Sequence, residues 1–320
     1  MNKTVNSSHA LCVALDSLDG AYLKAHYPYE FYETMLKVYT EKAEKDKVTA
    51  LKNEMKAFGI KLGAFKFGED NRDFTAYKEK GIITQSLKSI KGINQTVADT
   101  IYSIAKTKDC KTFVDVLIAI KEAKGIDSGQ LNTLIELDYF SDFGGVKKLK
   151  AIVDIFNTYY GKKQFTKAKI DDKTNDVMKR YAGKETEKLY KDIDIPAVIR
   201  ELTEEVAEIP ETMSEIVERQ YTLLGDVSII NSALPKTVQI VLDIDTTYSP
   251  KLTLYGLGTG KITVLKCNKK YFEYLTLNQF DVINVKGTEK KKKGSYVNGV
   301  WTPSENEYDF WITEYTKIKL

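Results

Sequence analysis

The chain has 320 residues, of which 42% are apolar and 29% charged, and a formal net charge of +3 from 48 basic and 45 acidic side chains. That length leaves room for two or three compact units, and the charge balance excludes a uniformly basic nucleic-acid binder, so any basic surface has to be local. Cys12, Cys110 and Cys267 show no C-x-x-C spacing and only two histidines accompany them, which excludes the usual Cys/His zinc centre and fits reduced thiols.

From the amino end, residues 8–58 read as helical. Leu15, Leu18, Tyr22 and Leu23 recur at helical spacing, Pro28 interrupts, and Phe31, Met35, Leu36 and Tyr39 form a second apolar stripe. A charged amphipathic helix follows over 41–56. Residues 59–62, 65–67 and 74–77 read as short extended segments. From Thr84 the pattern turns helical again, with Leu87, Ile90, Val97, Ala98, Ile101 and Ile104 able to share an apolar face. Further helices are expected over 113–123, 128–138 and 146–160. The lysine-rich stretch 161–191 reads as a linker or irregular connection. Residues 196–220 read as acidic and helical, with Pro210 inside the segment.

Beyond Leu234 the period switches to two. Strands are expected at 238–242, 252–255, 262–265, 282–285 and 310–312, with a short helix at 271–275 between the third and fourth. Five strands with a helix in that place fit a small OB-like barrel, although another small barrel or a sandwich shares the periodicity. The expected fold class is α+β, a mostly helical amino-terminal region followed by a five-stranded OB-like β-barrel. The chain shows no internal repeat. It also has no apolar run of membrane-spanning length and no signal-peptide pattern, so the expected location is cytoplasmic.

The strongest local motif is Ile90-Lys91-Gly92-Ile93-Asn94-Gln95-Thr96-Val97-Ala98. It resembles the helix-hairpin-helix pattern h-x-G-h-G-x-x-x-A. A tight turn of this kind, here Gly92 and Ile93, points backbone N–H groups at one spot by the positive end of the next helix, where a DNA phosphate docks without sequence preference. Lys88 and Lys91 would add charge and Thr96 a hydroxyl. Asn94 stands where the second glycine is usual, and asparagine tolerates left-handed backbone better than most residues. The plainer reading is a helix junction with no ligand.

Lys290, Lys291, Lys292 and Lys293 form the clearest basic cluster, in what reads as a loop between the last two strands, with Tyr296 and Trp301 in the same loop. Charge for phosphates and rings for bases is what single-stranded DNA binding needs. The alternative is a solvated hairpin tip. Gly256-Leu257-Gly258-Thr259-Gly260-Lys261 lacks phosphate-loop spacing and reads as a hairpin turn. Asp243 and Asp245 have the D-x-D spacing of a two-magnesium site but fall at a strand end.

Asn6-Ser7-Ser8-His9-Ala10, followed by Tyr22-Leu23-Lys24-Ala25-His26-Tyr27-Pro28 and Glu30-Phe31, resembles the N-x-S-H-A…Y-L-K-A-H-Y-P-x-E-F signature in the fingers of the bacterial replicative DNA polymerases, the DNA polymerase III alpha family. Residues 82–144 resemble that family too: a helical unit closes on Tyr139-Phe140-Ser141-Asp142-Phe143-Gly144, where the family has G-A-F-D-x-L-G. Over 235–320 the likeness is architectural.

The resemblance implies four parts: distal fingers at 1–80, a helix-hairpin-helix DNA-binding unit at 81–160, a linker and helical connection at 161–234, and an OB-like domain at 235–320. It also implies that Asn6, Ser8 and His9 approach the triphosphate of an incoming nucleotide, although Ser7 stands where the family carries a basic residue. Lys24 and His26, at the end of their helix, read as structural.

In the family a metal-holding palm precedes the N-x-S-H motif. The resemblance therefore implies the carboxy-terminal subunit of a split polymerase, whose Mg2+ is held by a palm-containing partner and which alone is inactive. Duplex primer–template and single-stranded template are the implied partners. A sliding clamp is a further family partner, but Gln130-Leu131-Asn132-Thr133-Leu134, the nearest echo of a clamp motif, reads as packed helix. Two rival functions stay open: a non-catalytic DNA-binding accessory protein derived from a polymerase, and a structural subunit whose barrel binds protein.

Overall fold

A computed structural model describes residues 7–297 and 300–320, the side chains of residues 7, 8, 45, 56, 273–275, 295–297 and 301 apart. The chain divides into two compact units, Met1–Pro210 and Glu211–Leu320. The fold is α+β, as expected, with helices dominating the first unit and a closed barrel the second.

The first unit begins with three helices, α1 (Ser7–His26), α2 (Pro28–Glu41) and α3 (Lys45–Ala57). Pro28 occupies the first turn of α2, where its missing N–H costs nothing and its fixed φ suits a helix start. Tyr32 and Leu36 of α2 pack with Val48, Leu51 and Met55 of α3 and with Phe74 and Ile83. Lys24 of α1 pairs with Glu54 of α3. Apolar side chains of α1 stay open: Leu11, Val13, Leu15, Leu18, Tyr22 and Leu23 are each at least 48% exposed. Strands β1 (Lys61–Leu62), β2 (Ala76–Tyr77) and β3 (Ile82–Ile83) form a small sheet in the order β1-β3-β2.

The helices α4 (Gln95–Thr107), α5 (Phe113–Ala123), α6 (Ser128–Glu136) and α7 (Val146–Tyr159) come next. Capping boxes open α5, at Thr112 and Asp115, and α6, at Asp127 and Gln130; each satisfies donors that a helix start leaves orphaned. Phe67, Phe113, Tyr139, Phe140 and Phe143 cluster with ring centroids 5.2–6.3 Å apart. Burying rings such as Phe113 and Phe140 contributes about 2–3 kcal/mol each.

The stretch expected to be irregular is structured instead. Residues 161–193 hold β4 (Gln164–Thr166), α8 (Asp172–Tyr181), β5 (Ala182–Glu185) and β6 (Leu189–Ile193), with an antiparallel sheet in the order β4-β6-β5. Their lysines mask a core signal that is thin in sequence: Phe165, Val177, Met178 and Tyr190 are the buried apolar anchors. Helix α9 (Ile195–Glu204) then ends ahead of Pro210.

The second unit opens with α10 (Met213–Leu224), set by a third capping box at Thr212 and Glu215. Then come β7 (Val238–Asp245), β8 (Lys251–Gly256), β9 (Ile262–Cys267), α11 (Lys269–Leu275), β10 (Val282–Val297) and β11 (Val300–Ile318). The barrel closes in the order β7-β8-β9-β11-β10 and back to β7, with β9 and β11 the one parallel pair. This connectivity, with α11 between the third and fourth strands, is OB-like. Val241, Leu252, Leu254, Leu265, Ile283 and Ile312 fill one core, while Val217 of α10 packs with Ile240, Leu242 and Tyr255 on the other side of β7 and β8. Among the described residues no helix is long and apolar enough to cross a membrane.

Candidate nucleic-acid interface

The turn before α4 is built by four residues. One turn of 3₁₀ helix, Leu87–Ser89, leads in, and the amide of Ile93 donates to the Ile90 carbonyl at 3.1 Å. Ile90 and Ile93 are buried and pin the turn to the core, leaving Lys91 and Gly92 at the surface. Gly92 has φ +88°, a region that penalises a Cβ.

Asn94 departs from the sequence expectation. Its backbone is extended (φ −114°, ψ 178°), not left-handed, and its side-chain oxygen accepts the Val97 amide at 3.0 Å. It is the N-cap of α4, so the glycine-like geometry of the turn rests on Gly92. The amides of Asn94, Gln95 and Thr96 precede the first bonded turn of α4 and have no acceptor within the helix. A neutral cap adds no negative charge of its own to that helix end, which suits an anion better than a carboxylate cap would.

Charge around the turn is lopsided. Lys91 is exposed and has no ion-pair partner among the described residues, and the Thr96 side chain is also exposed. Lys88 faces Asp73 at 3.4 Å, so its charge is partly spoken for. On another side, Asp70, Arg72, Asp73, Thr75, Gln95 and Asp99 line an open cleft of about 280 Å³. Arg72 grips Asp70 with two hydrogen bonds of 2.9 and 2.7 Å and lies 4.1 Å from the Tyr102 ring centroid. That hydrogen bonding holds the Asp70 carboxyl below the usual aspartate range. These carboxylates make that cleft unreceptive to an anion.

A second turn escaped the sequence reading. Lys124-Gly125-Ile126-Asp127 repeats Lys91-Gly92-Ile93-Asn94 with Asp for Asn, and it opens α6 as the first opens α4. That shared Lys-Gly-Ile string, followed by an Asn or Asp cap, was the available signal. The two turns adjoin: Gln130 donates to the Gly92 carbonyl at 3.2 Å, and a Cβ on Gly125 would meet the Thr100 hydroxyl at 2.7 Å. Their backbones differ, since the second turn takes its positive φ at Lys124 (+54°). Its cap is also a carboxylate, which already accepts the Gln130 amide at 2.8 Å and makes this helix start the less anion-receptive of the two.

Of the amino-terminal candidates, Asn6 lies outside the described residues, as does the Ser8 side chain. His9 is exposed on α1, with no hydrogen bond or ion pair to the turn at 90–94 among the described residues. Gln130-Leu131-Asn132-Thr133-Leu134 lies in α6 with Leu131 and Leu134 buried, a packed helix as read.

In the second unit Lys290, Lys291, Lys292 and Lys293 lie inside strand β10, not in a loop. Lys290, Lys291 and Lys292 stand opposite Phe310, Asp309 and Tyr308 of β11, and pairing continues to Val297 and Val300. The backbones of Tyr296 and Trp301 pair with each other, while their side chains lie outside the described residues. The run read as a loop because lysine has low strand propensity; Asn298-Gly299, a common two-residue hairpin turn, was the signal for a longer hairpin.

The glycine-rich segment is the β8–β9 turn, with the Gly256 amide donating to the Lys261 carbonyl at 2.9 Å. The residues present do not fit a magnesium site. Asp245 is engaged by the Thr247 amide at 2.9 Å and by Lys251, and among the described residues no three carboxylate, histidine or cysteine side chains converge.

No known protein-family model matches the chain. It is similar to the DNA polymerase III subunit alpha of Campylobacter jejuni, with 30% identity over 145 residues, 45% of this chain and 12% of that protein. The subunit of the same name from Bacillus subtilis is 28% identical over 143 residues, and that from Thermus aquaticus 28% over 154. The chain is a distant, partial homologue of DNA polymerase III alpha subunits. The aligned stretch spans only about one eighth of those relatives, 12% of each of the three.

Proposed function

We propose that this chain is a DNA-binding component of a replicative polymerase. In this reading it holds duplex primer–template at the turn 90–98, guides single-stranded template with the barrel, and takes part in nucleotidyl transfer only beside a palm-containing partner. That partner would hold the Mg2+, and Asn6, Ser8 and His9 would approach the incoming nucleotide in the joint assembly.

The observation that carries the reading is the first turn. Gly92 at positive φ, a neutral Asn94 cap and a Lys91 with no ion-pair partner among the described residues together make an anion-receptive helix start. Partial homology to a DNA polymerase subunit supports DNA as the source of that anion. The exposed apolar side chains of α1 support a partner's covering it.

Duplex binding tests the turn. Lys91→Glu should weaken binding of a mixed-sequence duplex and reduce the salt slope by about 0.9, the value for one phosphate contact. An unchanged affinity and slope would remove the turn from the interface. Primer extension by a palm-bearing partner, with and without this chain, tests the second half of the proposal. Activity that is no greater in the mixture would reduce the chain to a non-catalytic DNA binder.

A further inference from the structure

Beyond Trp311, the described residues of β10 and β11 pair only with each other, and this part of the hairpin has two chemically different faces. Thr288, Lys290 and Lys292 stand opposite Ile312, Phe310 and Tyr308, on the face that turns Ile312 into the barrel core. Glu289 and Lys291 stand opposite Trp311 and Asp309 on the other face, because side chains alternate along a strand.

On the Trp311 face the charges cancel. Lys291 pairs with Glu289 at 3.1 Å and Lys266 with Asp309 at 2.5 Å. Lys293, where the register between β10 and β11 shifts, pairs with Glu307 at 3.6 Å. Lys266 and Lys291 also crowd the Trp311 ring, at 5.8 and 5.2 Å from its centroid. On the Ile312 face Lys290 and Lys292 have no carboxylate partner among the described residues. The Lys290 ammonium lies 4.0 Å from the centroid of the Tyr308 ring, and Phe310 and Tyr308 are 49% and 37% exposed.

We propose that single-stranded DNA binds only the Lys290, Lys292, Tyr308 and Phe310 face of this hairpin, and that Lys291, Lys293 and Trp311 take no part. The assignment rests on the reading of the barrel as a single-strand binder. Binding of this kind combines cations for phosphates with open rings for bases. A phosphate on the Trp311 face would approach Glu289 and Asp309 and compete with their ion pairs. On the other face it meets two uncompensated ammonium groups beside two exposed rings.

The test uses the full chain and a fluorescein-labelled oligothymidylate, read by anisotropy between about 50 and 200 mM salt. Lys290→Gln with Lys292→Gln and Lys291→Gln with Lys293→Gln remove the same charge, the first pair from lysines without a carboxylate partner among the described residues and the second from lysines paired with Glu289 and Glu307. The first pair should weaken binding at least about tenfold and reduce the salt slope by about 1.4, two contacts of about 0.7 each on a single strand. The second pair should stay within about twofold. Phe310→Leu keeps apolar bulk and removes the ring, and should cost about fivefold or more. Lys290→Arg with Lys292→Arg should retain binding, and equal melting temperatures would separate loss of contact from loss of fold. Equal weakening by the two glutamine pairs, or a larger effect from Lys291 and Lys293, would overturn the face assignment. If the unmodified chain fails to bind the oligothymidylate, or prefers duplex of the same length, the single-strand reading of the barrel falls as well.

Discussion

Asn94 offers a sharp test, because the two conformations open to it make opposite predictions for one substitution. In the structure its backbone is extended and its side chain accepts the Val97 amide at 3.0 Å. Asn94→Ala strips the cap from α4 and should cost about 1 kcal/mol. Asn94→Gly should cost only a few tenths, and Asn94→Asp should keep or slightly raise stability by adding a carboxylate to the positive helix end. Were Asn94 left-handed instead, as the glycine position of the motif suggests, Asn94→Gly would stabilise by about 1 kcal/mol.

The first unit comprises Met1–Pro210, a size for which 1 kcal/mol shifts the melting temperature by roughly 2–4 °C. Urea titration monitored by circular dichroism resolves that difference, provided both units are followed separately. The same series reads the interface. Asn94→Asp should lower duplex affinity about fivefold, from roughly 1 kcal/mol of repulsion between a phosphate and a solvated carboxylate about 4 Å away. A glycine variant more stable than the parent, or an alanine variant with an unchanged midpoint, would refute the capping argument.

Three further outcomes are expected. Gly92→Ala places a Cβ at φ +88° and should destabilise the first unit by about 1–2 kcal/mol in a denaturant titration, although no neighbouring atom crowds the site. Asp171 caps α8, and its hydrogen bonds from the Thr174 amide and hydroxyl hold its carboxyl below the ordinary aspartate value. A depressed folded pKa means that its contribution is complete above the unfolded value of about 3.9 and is lost as pH falls through the lower folded value. The stability gap between the parent and Asp171→Asn should therefore narrow across that acid window in pH-dependent unfolding, and a gap that does not change with pH would refute it. Phe140→Ala empties a fully buried site in the aromatic cluster and should cost about 3–5 kcal/mol by the same unfolding assay.

Local signals were legible wherever a segment's own pattern dominates its fate. The apolar stripes of α2, α5 and α7, the period-two cores of the five barrel strands and the glycine turn between β8 and β9 all follow from spacing alone. The segment 161–193 was illegible because its few buried anchors are spread among lysines. The turn 90–98 was found in sequence, but the motif assigned Asn94 a conformation that the start of α4 overrides, since an unpaired amide at Val97 draws the side chain into a cap.

What the sequence by itself determined is therefore element type, the α+β class and the positions of the turn and the lysine run. Tertiary structure alone decided which charges remain available and which faces they occupy. Lys88 is compensated by Asp73, Lys291 by Glu289 and Lys293 by Glu307, while Lys91, Lys290 and Lys292 have no carboxylate partner among the described residues. Four consecutive lysines look equivalent in a sequence. Strand pairing with β11 splits them between two faces and two sets of neighbours, because side chains alternate along a strand and only register determines what stands opposite.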